Sequence, residues 1–275
     1  MQIKKHKFDL IENAKDSLSH AVEHLTKKKK LTASDLKRVI LDVAHVVELI
    51  LKERIRRIHP AFIWENVDKY PSSTAQTVGT EKAINRLLNL EGIALSDDSK
   101  KTLSICRRIR NSIEHYEFEI ELKKTRAIVG RMLSFIFLFS KAHLNLDMEA
   151  DFKRDYRWNA LIAIYEFWEA HSKAVEGQLL EEGADVCECP ACAALTYNLS
   201  ETECAFCGHM EEQVRCKHCE EMFWESETET IEELEGDPES GVTGVYIYTI
   251  CKNCMEELAA EGAALEAAAE SLREK

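Results

Sequence analysis

A chain of 275 residues is long enough for two domains, one of which can bury a sizeable core. Its net charge of −13 is unevenly spread, because residues 1–180 hold 31 Lys and Arg against 25 Asp and Glu, whereas residues 181–275 hold 5 against 24. A mildly basic first part, at +6, is thus joined to a strongly acidic second part, at −19, and this asymmetry predicts an interaction role for at least one of them.

Two features of the sequence argue against export and membrane insertion. The start of the chain, MQIKKHKFDLIENAKD, is charged throughout, unlike a signal peptide. The most apolar run, MLSFIFLFSKAHL, is about a dozen residues long and is interrupted at Lys141, which makes it too short to cross a bilayer. We therefore expect a cytoplasmic protein with no membrane partner.

Residues 1–180 are predicted to form an all-helical bundle, because apolar residues recur at helical spacing and almost no segment alternates like a strand. The first helix runs from FDLIENAK to the lysine run at residues 27–30. The second begins after an N-cap at Thr32 or Ser34 and ends before Pro60. Residues 61–79 follow as a loop with room for one short helix.

A short helix closed by Gly92 continues the predicted bundle, and a helix capped by Ser96 follows it. Residues 121–145 form the most apolar helix, expected at the centre of the core, and residues 151–183 form one long last helix. We expect the following side chains to pack in or near the core: His45, Cys106, Trp158, Tyr165, Phe167 and Trp168.

The composition of the sequence changes near EEGADV, at residues 181–186, which predicts a domain boundary there. Residues 181–275 then carry cysteine knuckles, a β-like run GVYIYTI, a linker-like stretch EELEGDPESGVTG and an Ala/Glu-rich helical tail. The predicted fold class is therefore α+β, with an all-α bundle at residues 1–180 and a small β-rich zinc-ribbon domain with a C-terminal helix at residues 181–275.

Four CxxC pairs in the second part predict metal binding rather than disulfides, since each pair can place two thiolates on one ion from a tight turn. The order of the pairs predicts two structural zinc sites, Cys189/Cys192/Cys204/Cys207 and Cys216/Cys219/Cys251/Cys254. An interleaved pairing is also open. Cys187 is a spare thiol or an alternate for Cys189, and His209 and His218 are expected to be bystanders.

The charge of the second part argues against direct binding of nucleic acid, because phosphate would be repelled. We expect this part to bind a protein partner, such as an antitoxin, or to fold against the basic first part. If it competes with RNA for the basic part, truncation after Gly183 raises RNA affinity.

The segment RRIRNSIEHYEFEI, residues 107–120, places Arg110, Asn111 and His115 within about two helical turns. Arginine holds phosphate oxygens with a fork of donors, and histidine accepts or donates a proton near neutral pH. Together they fit RNA cleavage without a metal. The alternative is a solvated helix face on which Arg110 pairs with Glu114. Arg54, Arg56, Arg57, Arg107 and Arg108 could add a basic rim.

The pattern Arg110-Asn111-x-x-x-His115, late in an amphipathic helix, resembles the signature of the HEPN superfamily. The resemblance covers roughly residues 1–180, and IRNSIEHYEFE is similar to many prokaryotic members. It implies a helical bundle that usually forms a dimer, with the motifs of the two subunits facing one cleft. It also implies metal-independent ribonuclease activity in toxin, antiphage or RNA-processing roles. Some related toxins have a tyrosine two residues beyond the histidine; here that position is Glu117, so no role is carried onto Tyr116.

The sequence thus predicts an endoribonuclease in which His115 is the general acid or base, Arg110 stabilises the phosphate and Asn111 orients the reactants. The products would carry 2′,3′-cyclic phosphate ends. The principal alternative is a non-catalytic dimeric adaptor that binds a protein through its zinc ribbons; a weaker one is a transcription-associated zinc-ribbon protein that binds DNA.

Overall fold

A computed structural model describes residues 7–27, 31–72, 74–236 and 243–273. The chain divides into two compact units. The helical unit comprises Met1–Gly183 and Ala194–Thr196, and the cysteine unit comprises Ala184–Ala193 and Tyr197–Lys275. The division after Gly183 lies within residues 181–186, where the sequence placed the boundary, and three residues beyond the end of the predicted bundle at residue 180. A helical part followed by a part with short antiparallel strands matches the predicted class in its coarse form.

The helical unit starts with two antiparallel-packing helices, each fixed by a capping box. Helix α1 (Leu10–Thr26) is capped by Asp9, and helix α2 (Ala33–Ile58) is capped by Thr32, one of the two predicted caps. Both caps exchange hydrogen bonds with the residue three positions on, which satisfies donors that a helix start leaves unpaired. The lysines at residues 28–30 lie outside the described residues.

Two short 3₁₀ elements and two further helices complete the middle of the helical unit. Two single 3₁₀ turns, Pro60–Ile63 and Val67–Lys69, occupy the stretch predicted to be a loop. Helix α3 (Thr80–Glu91) ends at Gly92, whose φ of 68° is the left-handed conformation that favours glycine. Helix α4 (Asp97–His115) is capped by Ser96 as predicted and ends at His115.

The helix predicted over residues 121–145 is confirmed. Helix α5 (Leu122–Phe139) continues through Lys141 as a π-helical turn, Ser140–Leu144. By length and composition alone, Leu122–Leu144 could cross a membrane, yet 61% of its apolar window is buried inside the protein. Burial of this kind is typical of a core helix, the position that the sequence predicted for it.

The single long helix predicted over residues 151–183 is wrong. The segment instead forms α6 (Ala150–Lys153), α7 (Tyr156–Ile162) and α8 (Tyr165–Glu181). The break has a local cause, because the carboxylate of Asp155 accepts a hydrogen bond from the backbone N–H of Arg157 and so starts a new helix.

Helices α5 and α8 approach each other closely at Gly130. A Cβ atom at this position would lie 2.5 Å from the carbonyl oxygen of Glu166 and 2.9 Å from the backbone nitrogen of Phe167. Real Cβ atoms do not approach backbone so closely, so any larger residue must push the two helices apart. Glycine at position 130 therefore sets the spacing of this pair.

We expect Gly130→Ala to destabilise the protein by about 1–3 kcal/mol, because the backbone of α8 must move. Gly177→Ala, within α8, is the matched control, since a Cβ there meets nothing within 4 Å. The control should be neutral or stabilising by up to about 1 kcal/mol through helix propensity. Urea unfolding of both variants measures the difference, and equal effects would contradict the close approach.

The core of the helical unit centres on a cluster of aromatic rings around Phe137. Trp158 and Phe167 are buried against it, with ring centroids 6.0 and 6.1 Å away, as predicted, and Cys106 is buried too. Two predictions were wrong, because Tyr165 is 63% exposed and His45 is exposed as well. Trp168 is only partly buried.

The cysteine unit consists of short antiparallel strands and one helix. A three-stranded sheet has the order β1-β2-β3, and two hairpins follow, β4-β5 and β6-β7. The elements are β1 (Val186–Cys187), β2 (Tyr197–Asn198), β3 (Glu203–Cys204), β4 (Gln213–Arg215), β5 (Met222–Trp224), β6 (Thr228–Gly236), β7 (Thr243–Cys251) and α9 (Lys252–Arg273).

The stretch EELEGDPESGVTG is only partly a linker. Its first five residues belong to β6, which pairs in register with β7 from Thr228↔Cys251 to Gly236↔Thr243. Residues 237–242 lie outside the described residues. The predicted β-like run GVYIYTI is confirmed as part of β7, and the predicted helical tail is confirmed as α9.

Candidate metal centres and candidate catalytic segment

The first four-cysteine group is assembled by the three-stranded sheet and its turns. The sulfur atoms of Cys189, Cys192, Cys204 and Cys207 all lie within 4.8 Å of one another. The distance from Cys189 Sγ to Cys207 Sγ is 3.7 Å, and that from Cys192 Sγ to Cys204 Sγ is 3.8 Å. Four thiol sulfurs at this spacing could hold one metal ion.

The second group joins two elements that are far apart in sequence. Cys216 and Cys219 follow β4, and Cys251 and Cys254 lie at the end of β7 and the start of α9. Their four sulfur atoms also lie within 4.8 Å of one another. The long hairpin β6-β7 returns the chain to this place, so the sequential pairing of the CxxC motifs is the arrangement found and the interleaved one is not.

Three of the four CxxC turns share one backbone feature. The residue that follows the second cysteine has a positive φ: 55° at Ala193, 77° at Gly208 and 62° at Glu220. Only Gly208 adopts this left-handed conformation without strain, whereas alanine and glutamate each incur a cost of roughly 1 kcal/mol. A favourable interaction at the cysteines, such as metal binding, would offset this cost.

The thiols of the second group lie close enough to shift one another's pKa. Burial alone would raise the pKa of Cys216, but backbone N–H donors, including those of Cys219 and Cys251, lower it to about 6. The neighbouring Cys251 thiol, together with burial, raises the pKa of Cys254. Four such thiols do not all ionise side by side without a compensating cation, and a bound metal ion would supply that charge.

The neighbouring side chains do not complete either group. Cys187 pairs with Tyr197 across β1 and β2 and belongs to neither four-cysteine set. His209 Nε2 lies 2.8 Å from the Glu211 carboxylate, and His218 is exposed. Within the described residues, each group is closed by its four cysteines, which is the structural rather than the catalytic type of site.

Helix α4 places the three candidate catalytic residues near its C-terminal end. Arg110 is half-buried, and its Nε lies 3.0 Å from the Glu114 carboxylate, the ion pair that the alternative interpretation required. Asn111 is exposed. His115 is the last residue of the helix and is exposed; its one aromatic neighbour among the described residues is Tyr116, with ring centroids 6.4 Å apart.

A cavity of about 780 Å³ opens beside α4 within the helical unit. Its walls come from α2, α3 and α4, and they include Arg110 and Asn111 but not His115. The structure therefore places two of the three predicted catalytic residues on one cavity and leaves the third at the helix end. His45 of α2 lines the same cavity.

His45 was missed as a functional candidate because Val43, Ala44, Val46 and Val47 surround it in sequence. The carboxylates on the cavity wall mostly have basic partners, as in Arg107–Glu81 at 2.6 Å and Lys82–Glu65 at 2.6 Å. His45 itself has no hydrogen bond or ion pair among the described residues. The apolar pattern of α2 alone does not predict that this face of the helix lines a cavity.

The predicted basic rim is largely neutralised by internal ion pairs. Arg54 pairs with Glu91, Arg56 and Arg57 with Glu53, and Arg107 with Glu81. Arg57 also donates to the carbonyl of Leu144 at 2.6 Å. Arg108 alone of the five is exposed with no ion pair among the described residues. These arginines therefore stabilise the helical unit more than they offer a continuous phosphate-binding surface.

No family model, curated protein or solved structure matches the chain. The resemblance to the HEPN superfamily accordingly rests on the Arg110-Asn111-x-x-x-His115 pattern and on its helical setting.

Proposed function

We propose that the chain is a metal-independent endoribonuclease whose cysteine unit is held together by two structural zinc ions. One observation carries the nuclease part. Arg110 and Asn111 lie on the wall of an open cavity of about 780 Å³, and His115 is exposed just over one turn further along the same helix. These side chains are the types that hold a phosphate and move a proton.

Zinc is proposed because the cysteine spacing matches its coordination geometry. A regular tetrahedron with Zn–S bonds of about 2.3 Å has edges of about 3.8 Å. Two of the Sγ–Sγ distances in the first group are 3.7 and 3.8 Å, and all of them are within 4.8 Å. Four thiolates leave no position for a reacting water, so these ions supply folding free energy to the cysteine unit and take no part in RNA cleavage.

In the proposed reaction, the ribose 2′-hydroxyl attacks the adjacent phosphorus and the bond to the 5′-oxygen breaks. His115 is the general acid or base: it accepts the 2′-hydroxyl proton or donates one to the departing 5′-oxygen. Arg110 stabilises the charge that develops on the phosphate, and Asn111 orients the phosphate or His115. The products are a 2′,3′-cyclic phosphate and a 5′-hydroxyl.

The ion pair between Arg110 and Glu114 does not prevent this role. Both side chains are more than a third exposed, at 39% and 34%. A surface pair of this kind contributes only about 0–1 kcal/mol, so RNA phosphate can displace Glu114 at small cost. Arg110 and Glu114 would then form a resting pair that opens when substrate binds.

A homodimer is part of the proposal, because it would bring a second Arg110 and His115 to one cleft, as the HEPN resemblance implies. That resemblance also suggests a toxin or antiphage role in the cytoplasm. The cysteine unit would then bind a protein partner, such as an antitoxin, consistent with the strongly acidic residues 181–275.

The test is cleavage of end-labelled single-stranded RNA and tRNA by the full chain loaded with zinc, without magnesium, in arms with and without EDTA. We expect His115→Ala to lower the cleavage rate by about 10²–10⁴-fold. Arg110→Ala should also lower it, whereas Arg154→Ala, an exposed arginine outside the cavity, should not. The arm without EDTA is needed because a chelator can remove structural zinc.

The rival function is a non-catalytic adaptor that binds a protein through the cysteine unit. It is favoured by two observations: Arg110 already has an ionic partner, and His115 does not line the cavity. An uncleaved substrate in every arm, or equal rates for wild type and His115→Ala, would favour the adaptor and contradict the assigned role of His115.

A further inference from the structure

We propose a third metal site on the helical unit, formed by His20 and His24 of α1 and suited to a divalent transition metal that prefers imidazole nitrogen. The two residues are four positions apart, so they share one face of the helix. Their Nε2 atoms lie 3.2 Å apart, with the two rings nearly perpendicular at 83°. Neither residue belongs to the cysteine groups.

The surroundings of the two rings decide where their protons lie. His20 Nδ1 lies 2.7 Å from the Asp42 carboxylate, which only accepts hydrogen bonds, so neutral His20 carries its proton on Nδ1 and has a lone pair on Nε2. His24 Nδ1 has no hydrogen-bond partner among the described residues and lies 3.4 Å from Asp35 Oδ1. Without a metal ion, His24 can donate from Nε2 to His20 Nε2; an ion bound to both Nε2 atoms would move that proton to Nδ1, which faces Asp35.

A metal ion fits the space between these nitrogens. Bonds of about 2.05 Å from one ion to two nitrogens that are 3.2 Å apart enclose an angle of about 103°, close to the tetrahedral value. Imidazole nitrogen suits zinc, copper and nickel ions. The geometry of the pair is thus that of two ligands on one ion, already formed by packing of α1 on α2.

The carboxylates supply the outer contacts that such sites use. Metal-bound histidines usually donate their second N–H to a carboxylate, which fixes the ring and raises its basicity. Asp42 on α2 holds this position for His20, and Asp35, also on α2, lies 3.4 Å from His24 Nδ1. Asp35 also pairs with Lys27 and accepts a hydrogen bond from the hydroxyl of Thr32.

The site is open to solvent on one side. The side chain of His20 is 51% exposed and that of His24 is 18% exposed. Water or an external ligand can therefore complete the coordination shell, and binding should be reversible, unlike binding in the closed cysteine groups. Asp42 also lines the cavity that carries Arg110, so the site and the cavity share one carboxylate.

The test is calorimetric titration of Ni²⁺ into the full chain after both cysteine groups have been loaded with zinc. We expect one Ni²⁺ equivalent to bind in wild type and to be lost in His20→Gln and in His24→Gln. Asp42→Asn should retain the site with about 10–100-fold weaker affinity. His59→Gln, an exposed histidine at the end of α2, is the matched control and should bind as wild type.

Circular dichroism of each variant checks that the helices are intact. Because the side chain of His20 is half exposed, His20→Gln is the variant least expected to disturb folding. The proposal is overturned if wild type binds no Ni²⁺ beyond the cysteine groups, or if well-folded His20→Gln and His24→Gln bind it as wild type does. The RNA assay plays no part in this test, so the two proposals stand or fall separately.

Discussion

Replacing Cys204 by serine is expected to unfold the three-stranded sheet around the first four-cysteine group, while the second group and most of the helical signal remain. Cys204 is fully buried, and it contributes both a strand residue of β3 and one sulfur of the first group. A structural zinc ion is worth about 10–16 kcal/mol of folding free energy in small domains, so loss of one ligand removes far more than a local contact. Metal content should fall from two ions per chain to one.

Cys187→Ser is the matched control for this result. Cys187 lies in the neighbouring strand β1 but outside both four-cysteine groups, so the variant should retain two ions and the amide NMR spectrum of wild type. Metal analysis after gel filtration, together with that spectrum, measures both outcomes. Retention of both ions by Cys204→Ser would contradict the assignment of the first group.

Glu149→Ala is expected to destabilise the helical unit by about 3–5 kcal/mol, because it breaks a buried ionic network. The Glu149 carboxylate lies 3.1 Å from His171 Nε2 and 2.8 Å from Lys153 Nζ. His171 is fully buried and Glu149 is 8% exposed. The variant leaves the fully buried His171 without this carboxylate and removes this partner of Lys153, whose side chain is 26% exposed, so most of the cost is expected at His171.

The pH dependence of stability should report the same network. Burial alone would raise the pKa of Glu149, but the hydrogen bond from His171 and the charge of Lys153 outweigh it and lower the pKa to about 2. A carboxyl whose folded pKa is lowered stabilises the fold above its unfolded pKa of 4.5, and this contribution disappears as the pH falls towards 2. The free energy of unfolding of Glu149→Ala should therefore not show this part of the decrease at low pH.

Glu169→Ala provides the control, because Glu169 pairs with Lys173 at 3.5 Å on the surface of α8, where the two side chains are 45% and 70% exposed. Such a pair contributes little, so the expected change is within about 0.5 kcal/mol. Urea unfolding at neutral and acidic pH compares the two variants. A cost for Glu149→Ala no greater than that for Glu169→Ala would show that the network is not stabilising.

Local signals in the sequence were sufficient for several elements of the fold. Thr32, Ser96 and Gly92 mark helix ends because capping depends on a few neighbouring residues. The metal-binding cysteines were equally predictable, since the CxxC spacing itself brings two sulfur atoms together. The sequence left open which CxxC motifs share one site. In the second group, the hairpin β6-β7 returns Cys251 and Cys254 to Cys216 and Cys219.

Long-range packing accounts for what the sequence did not reveal. Helical periodicity over residues 151–183 concealed the N-cap at Asp155, because a single acidic residue within an apolar pattern is usually a surface residue. His45 lies between valines, yet the adjoining helices leave its face uncovered. The contact of His20 with Asp42 joins residues on different helices, so no spacing rule could predict it.

The identity of the RNA ends left by the full-length, zinc-loaded protein in the absence of magnesium tests the account most directly. Attack by the 2′-hydroxyl, assisted by His115 and Arg110, predicts 2′,3′-cyclic phosphate and 5′-hydroxyl ends. Products with 3′-hydroxyl and 5′-phosphate ends, or intact RNA after prolonged incubation, would contradict the proposed ribonuclease.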